Sequence, residues 1–157
     1  MDRITLFIRD NIRLILGIAV VVFIVVLLIT ILLNRKAPKV VINNHTFSVT
    51  VAKTDKEKQI GLSETKKLDK NQGMLFVFDQ PDYYSFWMKN MKFPIDIIYI
   101  NGDKVTTVIN SAEPVSNGQL PIYQPKEKSD KVIEINAGLS KTYNIKNGSQ
   151  VTIQNLK

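Results

Sequence analysis

The sequence predicts a mainly β protein (β-rich α+β): a small antiparallel barrel-like domain with one or two short helices, preceded by a single N-terminal transmembrane helix. Three observations lead there. Leu14 to Leu33 are twenty consecutive residues without a charge, and at about 1.5 Å per helical residue they reach roughly 30 Å, the thickness of a bilayer's hydrocarbon core. Beyond residue 40 come seven or eight short apolar or alternating runs separated by turn signals. The segments between them are too short for the helices of a doubly wound parallel sheet. The chain accordingly divides into a tail (1–13), a membrane helix (14–33), a link (34–39) and a β-barrel-like domain (40–157).

Val, Ile and Leu fill residues 14–33 on every side, which leaves no polar face for water. A cleaved signal peptide has a shorter apolar stretch and a small-x-small exit. Here the run exits into Asn34-Arg35-Lys36-Ala37-Pro38, so an uncleaved, single-pass signal anchor in the cell membrane is expected. Arg3, Arg9 and Arg13 on one side balance Arg35, Lys36 and Lys39 on the other. A short basic tail before a first helix favours the tail inside and the C-terminal domain extracytoplasmic.

The domain opens on a strand from Lys39 to Ile42. Asn43-Asn44 then fits a two-residue hairpin turn, because Asn tolerates positive φ. Phe47, Val49 and Val51 alternate with Thr and Ser, the pattern of a strand with one buried face. Thr54-Asp55-Lys56-Glu57 is a capping box opening a short helix that stops near Gly61. A polar loop through Asp69-Lys70-Asn71 leads to a continuous apolar strand, Met74 to Phe78, broken by Gln80-Pro81-Asp82. Tyr83 to Met88 is aromatic and strand-like. Ile95 to Ile100 and Lys104 to Ile109 flank Asn101-Gly102, a strong hairpin signal. Residues 110–131 hold Pro114, Pro121 and Pro125 and read as one long surface loop. Val132 to Ile135 is a strand, Leu139 to Asn144 a short helix or turn, and Asn147-Gly148 leads into the last strand, Gln150 to Gln154.

Composition excludes several classes. The net charge of +7 divides into +4 for residues 1–39 and +3 for the other 118. Juxtamembrane Arg and Lys beside anionic headgroups account for the first part, and no basic stripe with aromatic platforms marks a nucleic-acid surface in the second. Cysteine is absent, which removes thiolate nucleophiles, zinc ribbons and iron–sulfur sites. Gly-rich phosphate and dinucleotide fingerprints are missing as well. The reading needs no cofactor.

Chemistry-bearing residues concentrate in Phe86-Trp87-Met88-Lys89-Asn90 and Phe93-Pro94-Ile95-Asp96, which contain the only Trp. Together with Gly61-Leu62, Gly73-Met74-Leu75-Phe76-Val77-Phe78 and Glu134-Ile135-Asn136-Ala137-Gly138, this pattern resembles the bacterial and archaeal DUF192 (UPF0127) family from about residue 40 to 156. Two positions depart from it. Members often follow Gly-Leu with Met and a nearby Arg, where this chain has Ser63-Glu64-Thr65, and Met91 stands where Thr is common. The resemblance implies a small β-rich domain, often exported or membrane-anchored, with no established activity.

The residues themselves leave several readings open. Trp87 serves either as a stacking platform in a pocket or as core packing. Lys89 and Asp96, across the Phe93-Pro94 bend, form either a structural pair or a functional one, and Asn90 suits a local backbone bond. Glu134 and Asn136 share one strand face by alternation. If that face meets the bend, Trp87, Lys89, Asn90, Asp96, Glu134 and Asn136 form a ligand or cation pocket, or else a buried network that holds the barrel shut. The preferred reading is a small-ligand or protein-binding module, not an enzyme, whose partners are the bilayer through residues 14–33 and a small ligand or envelope protein. Two alternatives stand beside it. A hydrolase would use the carboxylates of Asp96 and Glu134, and a Cu(I) site would use Met74, Met88, Met91 and the Trp87 ring.

Overall fold

The computed structural model describes residues 3–33, 36–115, 118 and 120–156, and for 3–10, 32 and 33 it describes the backbone alone. Arg35 and the side chains of Arg3 and Arg9, which entered the orientation argument, lie outside those residues, as does part of the 34–39 link. Two compact units divide after Lys36. The first holds helix α1 (Arg3–Leu33), which begins well inside the expected tail. Its segment Asn11–Ile31, with a mean hydropathy of 3.5 over its most apolar 18 residues, is long and apolar enough to cross a membrane, a test that a signal sequence also meets.

The second unit is built on a seven-stranded sheet. Strand β1 (Lys39–Ile42) turns into β2 (His45–Ala52) through Asn43 and Asn44, both at positive φ (47° and 68°), the geometry that the Asn pair favours. The capping box forms as expected. Thr54 Oγ1 accepts from Glu57 N at 3.3 Å, and Glu57 Oε2 accepts from Thr54 N at 2.9 Å. It starts helix α2 (Asp55–Ile60), which ends at Gly61 with φ 52°.

This helix carries the chain across the sheet, so β3 (Gln72–Asp82) lies parallel to β2, with Val49 opposite Gly73 and Val51 opposite Leu75. Among the described strands it is the one departure from an antiparallel sheet, and its cause is the α2 crossover.

Strand β5 (Ile95–Asn101) and β6 (Lys104–Ala112) form the expected hairpin. Its turn is Gly102-Asp103 instead of Asn101-Gly102, because Gly102 takes the positive φ of 60°. The expected long loop at 110–131 is interrupted. Strand β6 runs on to Ala112, Ile122–Tyr123 form a short strand β7 against β4 (Phe86–Trp87), and β8 begins at Ser129 and continues to Asn136. A one-turn helix α3 (Leu139–Thr142) precedes β9 (Val151–Gln154).

The sheet order is β6-β5-β8-β3-β2-β1-β9. Its two outer strands meet at one end, where Val105 N donates to Ser149 O at 3.0 Å and Val151 N to Asp103 O at 2.8 Å. The result is a curled half-barrel.

Alternation divides the apolar residues between two cores. Inside the curl, side chains from all seven strands and α3 pack together, among them Phe47, Leu75, Ile98 and Ile133. The outer face of β3, β8 and β5 presents Phe76, Val132, Ile97 and Tyr99 to a second cluster. The β4–β7 ribbon covers that cluster. Phe86 packs edge-on against Phe76 (4.9 Å between centroids) and Tyr99 (5.8 Å), and the Tyr99 hydroxyl donates to Tyr123 O at 3.0 Å. Both faces of the central strands are thereby buried, which is why Met74 to Phe78 reads as a continuous apolar run.

Candidate functional site: an aromatic pocket with a carboxyl at its floor

Where the ribbon, the end of α2 and the outer face of β3 come together, they leave a cavity of about 330 Å³. Phe76 and Phe78 enter it from β3 because alternation sends both to the outer face. Tyr84, Phe86 and Trp87 enter from the ribbon side, and Lys58, Ile60 and Leu62 from α2 and the turn after it. The turn passes close over the sheet: a Cβ on Gly61 would stand 3.4 Å from Phe76 Cζ. The rings order one another. Phe78 and Tyr84 stack at 3.6 Å with 10° between planes, and the Lys58 ammonium sits 4.7 Å from the Phe78 centroid.

Glu134 reaches the same cavity from β8. It is 4% exposed, and among the described residues its Oε2 has no hydrogen-bond partner. Its cross-strand neighbours are Met74 and Ile97, neither of which offers a donor side chain. Burial pushes its carboxyl up to about 8, so near neutral pH the group holds its proton for most of the time. A buried acid without a partner is costly to keep. Here it stands among aromatic rings in a cavity of the size that takes small ligands.

Residues 39–153 match the family DUF192, described as Uncharacterized ACR. The chain belongs to the DUF192 family. Two solved structures are similar to it. A protein of unknown function from Novosphingobium aromaticivorans is 30% identical over 73% of this chain and 83% of that one, with a TM-score of 0.67. A candidate transcription regulator from Sinorhizobium meliloti is 25% identical over 76% of this chain and 93% of that one, also with a TM-score of 0.67. Among curated proteins none matches the chain.

The DUF192 domain separates the six residues that the sequence grouped. Trp87, Lys89 and Glu134 line one pocket. Trp87 is 46% exposed, so it is not a core residue. Asp96 lies elsewhere. It pairs with Ile135, and Ile97 with Glu134, so Asp96 and Glu134 stand one register step apart and point to opposite faces of the sheet. The expected pocket with two carboxylates does not form, and neither does a hydrolase pair made from them.

Asp96 is wholly buried, and its oxygens accept from Ser111 N (2.8 Å), Gly138 N (3.1 Å) and Ser140 N (2.8 Å), and from the Ser140 hydroxyl. It ties β5 to the start of α3. No Lys89–Asp96 pair is formed, since Lys89 belongs to the outer pocket. Asn136 Nδ2 donates to Leu68 O (2.9 Å) and Asp69 O (3.2 Å), pinning the loop before β3. Asn90 is exposed and adopts φ 61° in a turn.

The three methionines do not line a common cavity. Met88 is sealed in the outer core, Met74 borders a groove beside β2, and Met91 alone joins Trp87 in the pocket. Sequence reasoning missed Phe76, Phe78, Tyr84, Phe86 and Lys58. The signal for the first two was present: Met74, Phe76 and Phe78 alternate with Leu75 and Val77, so a second apolar face needed a cover.

Proposed function

We propose that the DUF192 domain is a small-ligand-binding module, held at the cell membrane by α1 with its pocket on the extracytoplasmic side. The observation that carries this reading is Glu134, a buried carboxyl whose Oε2 lacks a partner and which lines an aromatic cavity. A folding network would satisfy its own polar atoms, as Asp96 does. A ligand site holds one in reserve for an occupant. The membrane half of the reading is supported by the apolar segment Asn11–Ile31 and by the basic tail before it.

The test is a fragment screen on the full-length chain in lipid nanodiscs, read by the NMR signals of the Trp87 indole and Met91 methyl. Hits that move both signals support the pocket, and those that contact the carboxyl weaken in Glu134→Gln. Hits that cluster elsewhere, or a screen without hits, overturn it.

A second reading, an envelope-protein partner, has its own observation. Trp87 and Ile122 pair across the ribbon and are 46% and 64% exposed, an apolar pair offered to the outside. Trp87→Ala with Ile122→Ser would remove that surface and leave Glu134 untouched.

A further inference from the structure

We propose that the pocket selects an organic ammonium, with the cation seated against Glu134 and its apolar body between the Phe78, Phe86 and Trp87 rings. The inference rests on the small-ligand reading and names the class of ligand.

Three observations lead to it. The first is the orphaned Oε2 of Glu134, a carboxyl oxygen that no donor among the described residues reaches. An ammonium brings both the missing hydrogen bond and the charge that stabilises the ionised form. The second is the wall. Aromatic faces carry negative electrostatic potential and attract desolvated cations, Trp most strongly. The third is internal to the protein: the Lys58 ammonium already stands 4.7 Å from the Phe78 centroid, so this wall accepts a cation of the protein's own. Lys58 thereby acts as a built-in competitor for the ring that a ligand cation would use.

Other ligand classes fit less well. An anion would meet Lys58 and Lys89, which line the same cavity, but it brings no donor for Oε2 and gains nothing from the ring faces. A neutral hydroxyl would satisfy Oε2 but gain nothing from the rings beyond burial. The raised carboxyl adds a dependence on pH: an ammonium pairs only with ionised Glu134, so binding strengthens as pH rises toward 8.

The experiment titrates the full-length chain in nanodiscs with benzylamine and with benzyl alcohol, its neutral counterpart of equal size, following the emission of Trp87, the only tryptophan. Benzylamine is expected to bind at least about tenfold more tightly than benzyl alcohol, and to strengthen between pH 6 and about 8. Glu134→Gln removes that preference while leaving benzyl alcohol binding in place. Lys58→Gln frees the Phe78 face and tightens benzylamine severalfold, which provides a readout even if the Glu134 variant folds poorly. Equal binding of the two probes, or a benzylamine preference that survives Glu134→Gln, overturns the ammonium inference and leaves the pocket as a ligand site. If neither probe perturbs Trp87, the ammonium inference and the pocket reading fall together.

Discussion

A Cβ added to Gly73 would stand 2.7 Å from the carbonyl oxygen of Glu134, closer than side chains approach backbone. The same atom would lie 3.1 Å from Ile135 Cγ2. Strands β3 and β8 meet here, and the absent side chain lets the strand bearing the pocket acid close on its neighbour. In most strands, replacing Gly with Ala is favourable because it limits the unfolded chain. At position 73 the sign reverses. Gly73→Ala is expected to cost about 1–3 kcal/mol, the range for overpacking against atoms that cannot yield. Urea denaturation of the variant against the parent chain measures it, and an unchanged or higher midpoint would show that β8 is not pressed against Gly73.

Glu134 makes stability depend on pH in a stated direction. Its carboxyl titrates near 4.5 when unfolded and at about 8 when folded, because burial disfavours the charge. Between those values the folded state keeps a proton that the unfolded state has released. The contribution of Glu134 to stability is therefore fullest below pH 4.5, falls as pH rises, and levels off above about 8. The slope in that window approaches about 1.4 kcal/mol per pH unit for one full proton. Glu134→Gln removes the ionisable group, so its curve is flatter and crosses above the parent's at alkaline pH. Chemical denaturation at several pH values tests this, and parallel curves for the two proteins would contradict it.

Much of the fold was legible because it is fixed within a few residues. The turn at Asn43-Asn44, the box from Thr54 to Glu57 and the alternation from Phe47 to Val51 each depend only on near neighbours in sequence. The parallel pairing of β2 with β3 depends on where α2 carries the chain, and no local pattern records that. Residues 110–131 misled for a related reason. Ser111 takes φ 51° and donates its backbone N–H to Asp96, a contact with a strand fifteen residues away that keeps β6 in the sheet as far as Ala112. The candidate site failed on parity. Asp96 and Glu134 each looked like pocket acids, and whether they share a face rests on the β5–β8 register, which neither strand encodes alone.

That parity gives Asp96 a role distinct from ligand capture. Its four acceptances from Ser111, Gly138 and Ser140 hold α3 against the inner side of the sheet. Asp96→Asn turns one acceptor oxygen into a donor facing N–H groups, and hydrogen bonds to a charged group contribute roughly 1.5–3 kcal/mol each. The variant is expected to lose about 3 kcal/mol of stability and, where it remains folded, to bind pocket ligands as the parent does. Thermal melts combined with Trp87 titrations at low temperature separate the two effects. A stable variant with impaired binding would return Asp96 to the site.

Phe86 joins the ribbon to the sheet and also forms part of the pocket wall, so its removal has two consequences that can be told apart. The ring is half-buried and edge-on to both Phe76 and Tyr99. Because it is only partly covered, Phe86→Ala should cost less than a fully buried ring, about 2 kcal/mol. The ribbon's other tie is the Tyr99 hydroxyl bond to Tyr123 O, which Tyr99→Phe deletes without touching the cavity lining, at about 1 kcal/mol. If the ribbon is seated chiefly by the Phe86 ring, Phe86→Ala moves Trp87 emission to longer wavelength and abolishes probe binding, whereas Tyr99→Phe does neither. Equal shifts from both variants would mean that the hydroxyl bond holds the ribbon as much as the ring does, and would overturn the ring's leading part.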